Sequence, residues 1–457
     1  MEFLNRNHEI KRLTKAIQSG ESKLIVVYGR RRLGKTRMLQ QIMQQHDIYF
    51  IADQRESAVQ IETFARLIAT QIENFDKAVY PDWESLLISL NKWINKKITI
   101  YIDEFPYLVK NAPDLPSVLQ KFIDKKEQPN FHLVLCGSSQ QMMQKMVIDR
   151  NSPLYGRADE IIKTTPMSIY WLKEGLDCSC EEAVEEYAVW GGVPRYWEIR
   201  KQEDTLKNAI INQVFDIHGV LHEEPMRLFL DDTRDSVQMH TLISIISSGV
   251  HRLSEIASRI GKPATQLNRP LQRLIDLGYV KREIPWGVSK RNAKKTLYKI
   301  AEPFIHFYYR FVIPEKTSLE LGYTEHIYQH VLKSQFSDYC SETWEELCRQ
   351  ALPNLLNNNV FEPGFRWWGN DINKNPMEID IVAESRNKKE IVIGEAKWSS
   401  TRNIRSVLKE LEQKASAFPL GQNKKILKVL FIKEKPKNIP EGFHIFSPED
   451  IVEAYNN

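Results

Sequence analysis

Cysteine is scarce in this chain: five in 457 residues, at 136, 178, 180, 340 and 348. An odd and sparse set argues against a disulfide framework. Cys178 and Cys180 have no second close Cys or His pair, which argues against a zinc site. Long apolar runs are missing too. No stretch approaches the ~20 residues that a membrane helix needs, so no membrane partner is expected. The opening MEFLNRNHEI is charged within its first residues and has no apolar centre like a secretory signal's, and a cytoplasmic location is expected. Charge of one sign is also lacking, since 63 Lys and Arg against 59 Asp and Glu leave +4. That balance does not demand a polyanion partner, but it permits one where basic residues cluster. Apolar residues make up 42% of the chain, enough for ordinary cores, and the length suggests roughly three domains.

Against these absences stands GRRRLGKT at 29–36. It fits G-x-x-x-x-G-K-[ST]. The apolar run Leu24–Tyr28 precedes it and a helix-compatible stretch, 37–45, follows, which is the context the pattern requires. In such a loop the backbone of Gly29, Arg30, Arg31, Arg32, Leu33 and Gly34 wraps a phosphate. Lys35 places a cation on the β and γ oxygens, Thr36 binds Mg²⁺, and the helix start at Arg37 adds its positive dipole end. ATP with Mg²⁺ is the expected cofactor pair.

KITIYIDEF supplies a second half. Ile98, Ile100 and Ile102 lead into Asp103, expected to hold Mg²⁺ through water, and Glu104, expected to orient or deprotonate the attacking water. Further strands are expected at 47–52 and 132–136. The latter runs into GSS, where Ser138 or Ser139 either reports on the γ-phosphate or caps the next helix. Arg157, ending SPLYGR, is either a phosphate-reaching arginine, for this chain or a neighbour, or a surface loop residue. WGGVPRYW at 190–197 either brings Pro194 against an adenine or turns one helix into the next. Strands alternating with helices point to a parallel α/β sheet with its ligand at the strand C-termini.

The middle reads as three helices, 237–248, 253–261 and 264–280, the last closed by Gly278, with strand-like runs at 279–284 and 296–300 around a loop. Leu267, Leu271, Leu274 and Leu277 recur at helical spacing and are expected to face a core. This is a helix–turn–helix with a wing. Thr265, Asn268, Arg269 and Arg273 are candidate contacts on the third helix. The wing carries Lys281, Arg282, Lys290, Arg291, Lys294 and Lys295 against one acid, Glu283. Such a cluster suits DNA phosphates; the alternative is a lever between domains or a surface for a protein partner. The aromatic stretch 304–313 reads as an interdomain packing helix.

Near the C-terminus, MEIDIVAES puts Glu378 and Asp380 on one strand face with Ile379 and Ile381 on the other. After a turn at 385–389, IVIGEAKWS puts Glu395 and Lys397 two apart on one face. ETWEELCRQAL reads as a helix that presents Glu345. Asp380 and Glu395, with Glu345 and Glu378 in second rank, are hard oxygen ligands for Mg²⁺ or Mn²⁺, and Lys397 suits charge stabilisation in phosphodiester hydrolysis. The alternative is an exposed hairpin of alternating charge. Trp344, Trp367, Trp368 and Trp398 are read as core packing ahead of base stacking.

FLNRNHEIKRL at 3–13 resembles the opening F-x-x-R-x-x-E-L-x-x-L of the archaeal-type AAA+ ATPases in the signal-transducing STAND branch. GRRRLGKTRML, YIDEF, CGSS, SPLYGR and WGGVPRYW follow in that family's order, so the resemblance covers roughly residues 1–230. It implies an ATPase core over 1–167, with Arg6 and Glu9 near the base. A helical lid over 168–233 would carry Pro194, and hydrolysis would act as a conformational switch. Arg157 completing a neighbour's site would imply a homo-oligomer, although STAND relatives also rest as monomers. Residues 325–457 resemble the PD-(D/E)xK nuclease fold, in which Glu345, Asp380, Glu395 and Lys397 take the family's order and Ile379 replaces a usual proline. That implies metal-dependent DNA cleavage or, in an inactive member, a DNA- or partner-binding scaffold. The expected fold class is therefore α/β: a P-loop AAA+ core, a helical lid, a winged helix over 234–302, a linker over 303–324, and the nuclease-like domain.

Overall fold

The computed structural model describes residues 2–124, 129–232, 236–289, 295–356, 360–399, 403–421 and 423–456. They form two compact units, divided after Pro166.

The first unit is built on five parallel strands: β1 (Leu24–Tyr28), β2 (Ile48–Ile51), β3 (Ile98–Asp103), β4 (Phe131–Gly137) and β5 (Glu160–Lys163), in the order β2-β3-β4-β1-β5. Every residue of β1, β3 and β4 is buried. A parallel sheet covered on both faces explains why they read as continuous apolar runs rather than alternations. Successive residues of β1 feed opposite cores. Val26 and Tyr28 join Phe50, Phe64 and Trp83 on one side, while Ile25 and Val27 join Leu13, Met38 and Leu39 on the other. Because the strands run the same way, their C-terminal ends share one edge, with Tyr28 level with Gly137 and Ile102 level with Leu135. The helix expected over 37–45 begins earlier and stops sooner, at Lys35–Gln40. Gly34, at φ 82°, makes the left-handed turn that admits the chain into it.

The second unit opens with the helices Ile169–Leu176, Cys180–Trp190 and Pro194–Arg200. Ser179 and Glu182 cap the second of these reciprocally. Its end falls at Gly191, and Pro194 starts the next helix, where its missing N–H costs nothing. Helices Ser236–Ser247, Leu253–Ile260 and Ala264–Asp276 follow, then the antiparallel pair β6 (Val280–Glu283) and β7 (Leu297–Ile300). Leu267, Leu271, Leu274 and Leu277 are all buried, as their spacing predicts. The aromatic stretch forms the helix Pro303–Phe307 and the π-helical turn Tyr308–Val312. Its rings are internal: Phe304 stacks on Trp190, Phe307 on Phe215, and Phe311 meets Tyr339 edge-on.

The last segment runs from the helix Lys333–Leu355 through β8 (Phe365–Asn370), β9 (Pro376–Glu384) and β10 (Glu390–Lys397). The helix Ile404–Ala417, β11 (Lys425–Ile432) and β12 (Phe443–Phe446) complete it. The sheet order is β12-β11-β10-β9-β8, antiparallel from β8 to β10 and parallel from β10 to β12. The helix Ile404–Ala417 is the crossover between the parallel strands β10 and β11, and packs Val407, Leu408 and Leu411 onto the sheet. Trp344, Trp367 and Trp398 are buried, which suits packing rather than base stacking, whereas Trp368 is only half-buried, under the Arg366 guanidinium. The five cysteines are free. Among the described residues no helix is long and apolar enough to cross a membrane.

Candidate functional site

At the C-terminal edge of the first sheet, the loop after β1 folds back over the strand. A Cβ on Gly29 would stand 2.1 Å from the Thr164 Oγ1, so only glycine fits there. Arg32 takes a left-handed φ of 67°, and Arg31 hydrogen-bonds the Tyr107 hydroxyl. Lys35 is only 5% exposed. Its Nζ donates to the carbonyls of Gly29 at 2.8 Å and Arg30 at 2.9 Å. Burial lowers its pKa.

Asp103 ends β3 beside it. Its Oδ2 accepts from the Thr36 hydroxyl at 2.7 Å and the Tyr49 hydroxyl at 2.5 Å, and its Oδ1 accepts the Glu104 N–H at 2.9 Å. Burial pushes the Asp103 carboxyl up, but hydrogen bonds from Tyr49, Thr36 and Cys136 outweigh it and hold the group below its ordinary value. Thr36 and Asp103 are adjacent hard oxygen donors and fit Mg²⁺. Glu104 sits at φ 52°, ψ 39°, a left-handed conformation that costs a β-carbon residue about 1–3 kcal/mol. Ser138 holds it there, its Oγ donating to Glu104 Oε1 at 2.7 Å. Tyr49 is a site residue that sequence reading misses, because nothing marks it there beyond its place in a strand.

Three expected site residues stand differently. Arg6 is buried and supports the loop from behind: its Nη2 donates to the carbonyls of Leu33 at 3.1 Å and Thr165 at 2.7 Å, and its Nη1 to Glu9 at 3.1 Å. Arg157 is not brought to the phosphate loop of its own chain. It makes a bidentate pair with Asp124, at 2.9 Å from Nε and 2.7 Å from Nη2. Its surroundings are Leu24 and Asp159, at the N-terminal edge of the sheet, opposite Lys35. Pro194 belongs to the second unit, at the first turn of its helix.

In the second unit β9 and β10 bring Asp380, Glu395 and Lys397 together. Lys397 Nζ donates to Asp380 Oδ2 at 2.9 Å and Glu395 Oε2 at 2.6 Å. The other Glu395 oxygen accepts from Lys414 at 2.7 Å. Lys414 comes from the helix Ile404–Ala417, and nothing in a solvated helical lysine marks it in sequence. Glu395 is 1% exposed. Burial and the Asp380 charge raise its carboxyl to about 7 against the pull of the two lysines. For Asp380, burial is outweighed by Lys397 and the Ala396 N–H, leaving it below its ordinary value. Glu345 is raised by burial and by Asp380, and lies 3.4 Å from Arg349. Glu378 is paired with Arg366.

Among the described residues no group of three or more His, Cys, Asp or Glu side chains is arranged to hold a metal ion. The expected set of Asp380, Glu395 and Glu345 is therefore not assembled as a metal cluster. Each Glu395 oxygen is occupied by an ammonium, and Glu345 faces a guanidinium.

The β6–β7 hairpin, expected to be a wing, is tied to this domain in its described part. Lys281 pairs with Glu346 at 2.8 Å and Glu283 with Arg366 at 3.6 Å, Glu283 also meeting Lys299 of β7 within the hairpin at 3.4 Å, and Trp286 donates its backbone N–H to the Arg366 carbonyl at 3.0 Å. Buried Arg349 joins the two sides, bonding Glu346 at 3.1 Å and the Asp380 carbonyl at 3.1 Å. Thr265, Asn268, Arg269, Arg282 and Lys295 are exposed, whereas Arg273, expected with them, is half-buried. Lys290, Arg291 and Lys294 lie outside the described residues.

Residues 3–198 match the family described as an ATPase domain predominantly from Archaea. The chain carries an archaeal-type P-loop ATPase domain. Residues 308–411 match a second family, described as archaeal and bacterial proteins of unknown function. An uncharacterized protein of Methanocaldococcus jannaschii is 28% identical over 444 residues, spanning 95% of this chain and 97% of that protein. Among solved structures, a Walker-type ATPase of Pyrococcus abyssi aligns over 67% of this chain and 96% of its own at a TM-score of 0.52 and 18% identity. At that identity the likeness establishes a shared fold. The ORC2 protein of Aeropyrum pernix, in ADPNP–ADP complexes, aligns over 70% of this chain and 96% of its own at a TM-score of 0.45 and 14% identity.

Proposed function

We propose that this chain is an ATP-binding and ATP-hydrolysing switch of the AAA+/STAND kind, whose nucleotide state governs a DNA-directed C-terminal domain of the PD-(D/E)xK type. The observation that carries the reading is the meeting of Lys35, Thr36, Asp103, Glu104 and Ser138 at one edge of a parallel sheet. The loop N–H groups and Lys35 bind the β and γ phosphates, with Lys35 exchanging its two carbonyl partners for phosphate oxygens. Thr36 and Asp103 would hold Mg²⁺, which when bound offsets phosphate charge. Glu104 orients and accepts the proton of the attacking water. Ser138 keeps the Glu104 carboxylate in place, so a shift of β4 alters the base directly. Arg6 holds the loop in shape. Winged-helix character for 234–302 is supported by three helices followed by a hairpin, and its pairing with Glu346 and Arg366 supports the lever role.

For the C-terminal domain, cleavage is supported by the element order helix, three antiparallel strands, helix, parallel strand, and by the convergence of Asp380, Glu395 and Lys397. A specific observation favours the second reading, in which the domain binds DNA or a partner without cutting. Both oxygens of Glu395 are held by lysines, and this arrangement does not fit a divalent ion. A cleavage assay separates the two. Supercoiled and single-stranded DNA are incubated with Mg²⁺ or Mn²⁺ and no nucleotide, ADP, or a slowly hydrolysed ATP analogue, beside Asp380→Ala. DNA retained without cleavage supports the binding reading. Metal-dependent cutting that Asp380→Ala abolishes supports the nuclease.

A further inference from the structure

A polar cavity of about 220 Å³ lies within the second unit, walled by the end of the helix Ser236–Ser247, the helix Pro303–Phe307 with its π-helical extension, and the helix Lys333–Leu355. Neither the phosphate loop nor the Asp380 cluster uses it. One of its walls holds a group that calls for a ligand. Ser247 is 4% exposed, and its Oγ makes no hydrogen bond among the described residues. A helical serine commonly returns its hydroxyl to the carbonyl four residues back. An unmatched buried hydroxyl is costly, so native structures rarely keep one.

The cavity lining carries charge of both signs. Arg310 stands on the π-helical turn, fixed by Nη2 donating to Gln335 Oε1 at 2.9 Å. Asp338 and Glu342 stand one turn apart on the facing helix and make no ion pair among the described residues. His251 and His306 line the space between. His251 Nδ1 donates to the Tyr298 carbonyl at 3.0 Å, which leaves Nε2 as an acceptor. The His306 ring lies 5.1 Å from that of Tyr339. Burial lowers both imidazoles, His306 to about 4. Both are therefore neutral near pH 7, and the charged groups that line the cavity are one guanidinium and two carboxylates.

A free anion meets two carboxylates here, and a simple amine meets a guanidinium. A molecule carrying both charges satisfies both walls. The volume is below the roughly 300–1,000 Å³ of sites for larger ligands and cofactors, and no metal-holding group of three His, Cys, Asp or Glu is present among the described residues. We propose that this cavity binds a small zwitterion of amino-acid size, with its carboxylate on Arg310, its ammonium on Asp338 and Glu342, and a hydrogen bond to the Ser247 hydroxyl. Glu342 precedes Glu345 and Glu346 by one helical turn, so occupancy bears on the helix that meets both the wing and Asp380.

Thermal unfolding of the full chain tests this, with glycine, L-alanine and L-serine as probes. Acetate and methylamine serve as the separate halves. A zwitterion at a hundredfold excess over Kd raises the midpoint of the second unit by about 5 °C, while neither half does so. Arg310→Gln and Glu342→Gln each weaken binding at least about tenfold, and leave the ligand-free midpoint unchanged, because both side chains are exposed. Ser247→Ala raises the ligand-free midpoint, by removing an unmatched hydroxyl, and weakens the zwitterion. No shift with any of the three amino acids up to about 10 mM overturns the proposal. So does methylamine or acetate binding as well as glycine, or a Ser247→Ala protein that melts lower than wild type.

Discussion

Arg6→Ala separates a residue that supports the phosphate loop from one that touches the nucleotide. The side chain is 6% exposed, and it bonds two backbone carbonyls, Leu33 in the loop itself and Thr165 beyond β5. A hydrogen bond from a charged donor is worth about 1.5–3 kcal/mol net. Loss of two therefore removes at least about 3 kcal/mol from the first unit, since alanine inherits the same left-handed backbone at φ 71°. In a unit of this size that lowers the melting midpoint by about 6–12 °C without any ligand. The Leu33 carbonyl is also released, so the loop must be ordered by the nucleotide, and affinity falls by about ten- to a hundredfold. The assay pairs ligand-free thermal unfolding with titration of a fluorescent ATP analogue. A fall in affinity with an unchanged ligand-free midpoint would refute the reasoning and make Arg6 a direct nucleotide contact.

Other outcomes follow from the same geometry. Gly29→Ala drives a Cβ into the Thr164 hydroxyl, so the loop shifts and nucleotide binding is lost; titration with unchanged affinity contradicts the assigned loop geometry. Lys281→Ala with Glu283→Gln frees the β6–β7 hairpin from Glu346 and Arg366 and removes its internal Glu283–Lys299 pair, and hydrogen exchange across β6 and β7 rises at least about tenfold; unchanged protection means that the hairpin is held elsewhere. Neutralising Lys290, Arg291, Lys294 and Lys295 lowers the salt slope of DNA binding by about 1 for each phosphate that is no longer neutralised, and an unaltered slope assigns the wing to the lever role alone. The pH dependence of Glu395 has a definite sign. Its folded carboxyl lies near 7, above an ordinary value of 4.5, so its contribution to stability is complete below about pH 4.5 and lost as pH rises through about 7. Asp380, held below its ordinary value, contributes above that value and loses its share in acid. Glu395→Gln therefore gains on wild type as the pH rises from about 5 to about 8 in thermal unfolding, and a difference that does not change with pH contradicts the assignment.

The candidate nucleotide site is largely legible in sequence because its residues are local. Gly29, Gly34, Lys35 and Thr36 are contiguous or nearly so, and Asp103 with Glu104 ends an apolar strand whose parallel neighbours fix its position. What sequence does not reach depends on interactions between distant segments. Arg157 is indistinguishable in sequence from a phosphate-reaching arginine until Asp124, 33 residues away, takes its guanidinium. Arg6 supports the loop only because Leu33 and Thr165 fold around it. In the second unit the strand pattern places Asp380, Glu395 and Lys397 on one site, since two-residue spacing keeps side chains on one face. The crossover helix then adds Lys414, and the main helix adds Arg349, which turn a row of carboxylates into a balanced ionic network. The wing follows the same logic: its basic residues suggest phosphate, whereas Lys281 is bonded to Glu346.

The most direct test of the central claim is ATP turnover by the full chain in Mg²⁺, with Lys35→Ala and Glu104→Gln measured beside it and nucleotide binding followed in parallel. Turnover is expected in wild type, with no binding and no turnover in Lys35→Ala, and binding without turnover in Glu104→Gln. Turnover that survives Lys35→Ala, or a wild-type protein that does not bind ATP, would contradict the claim.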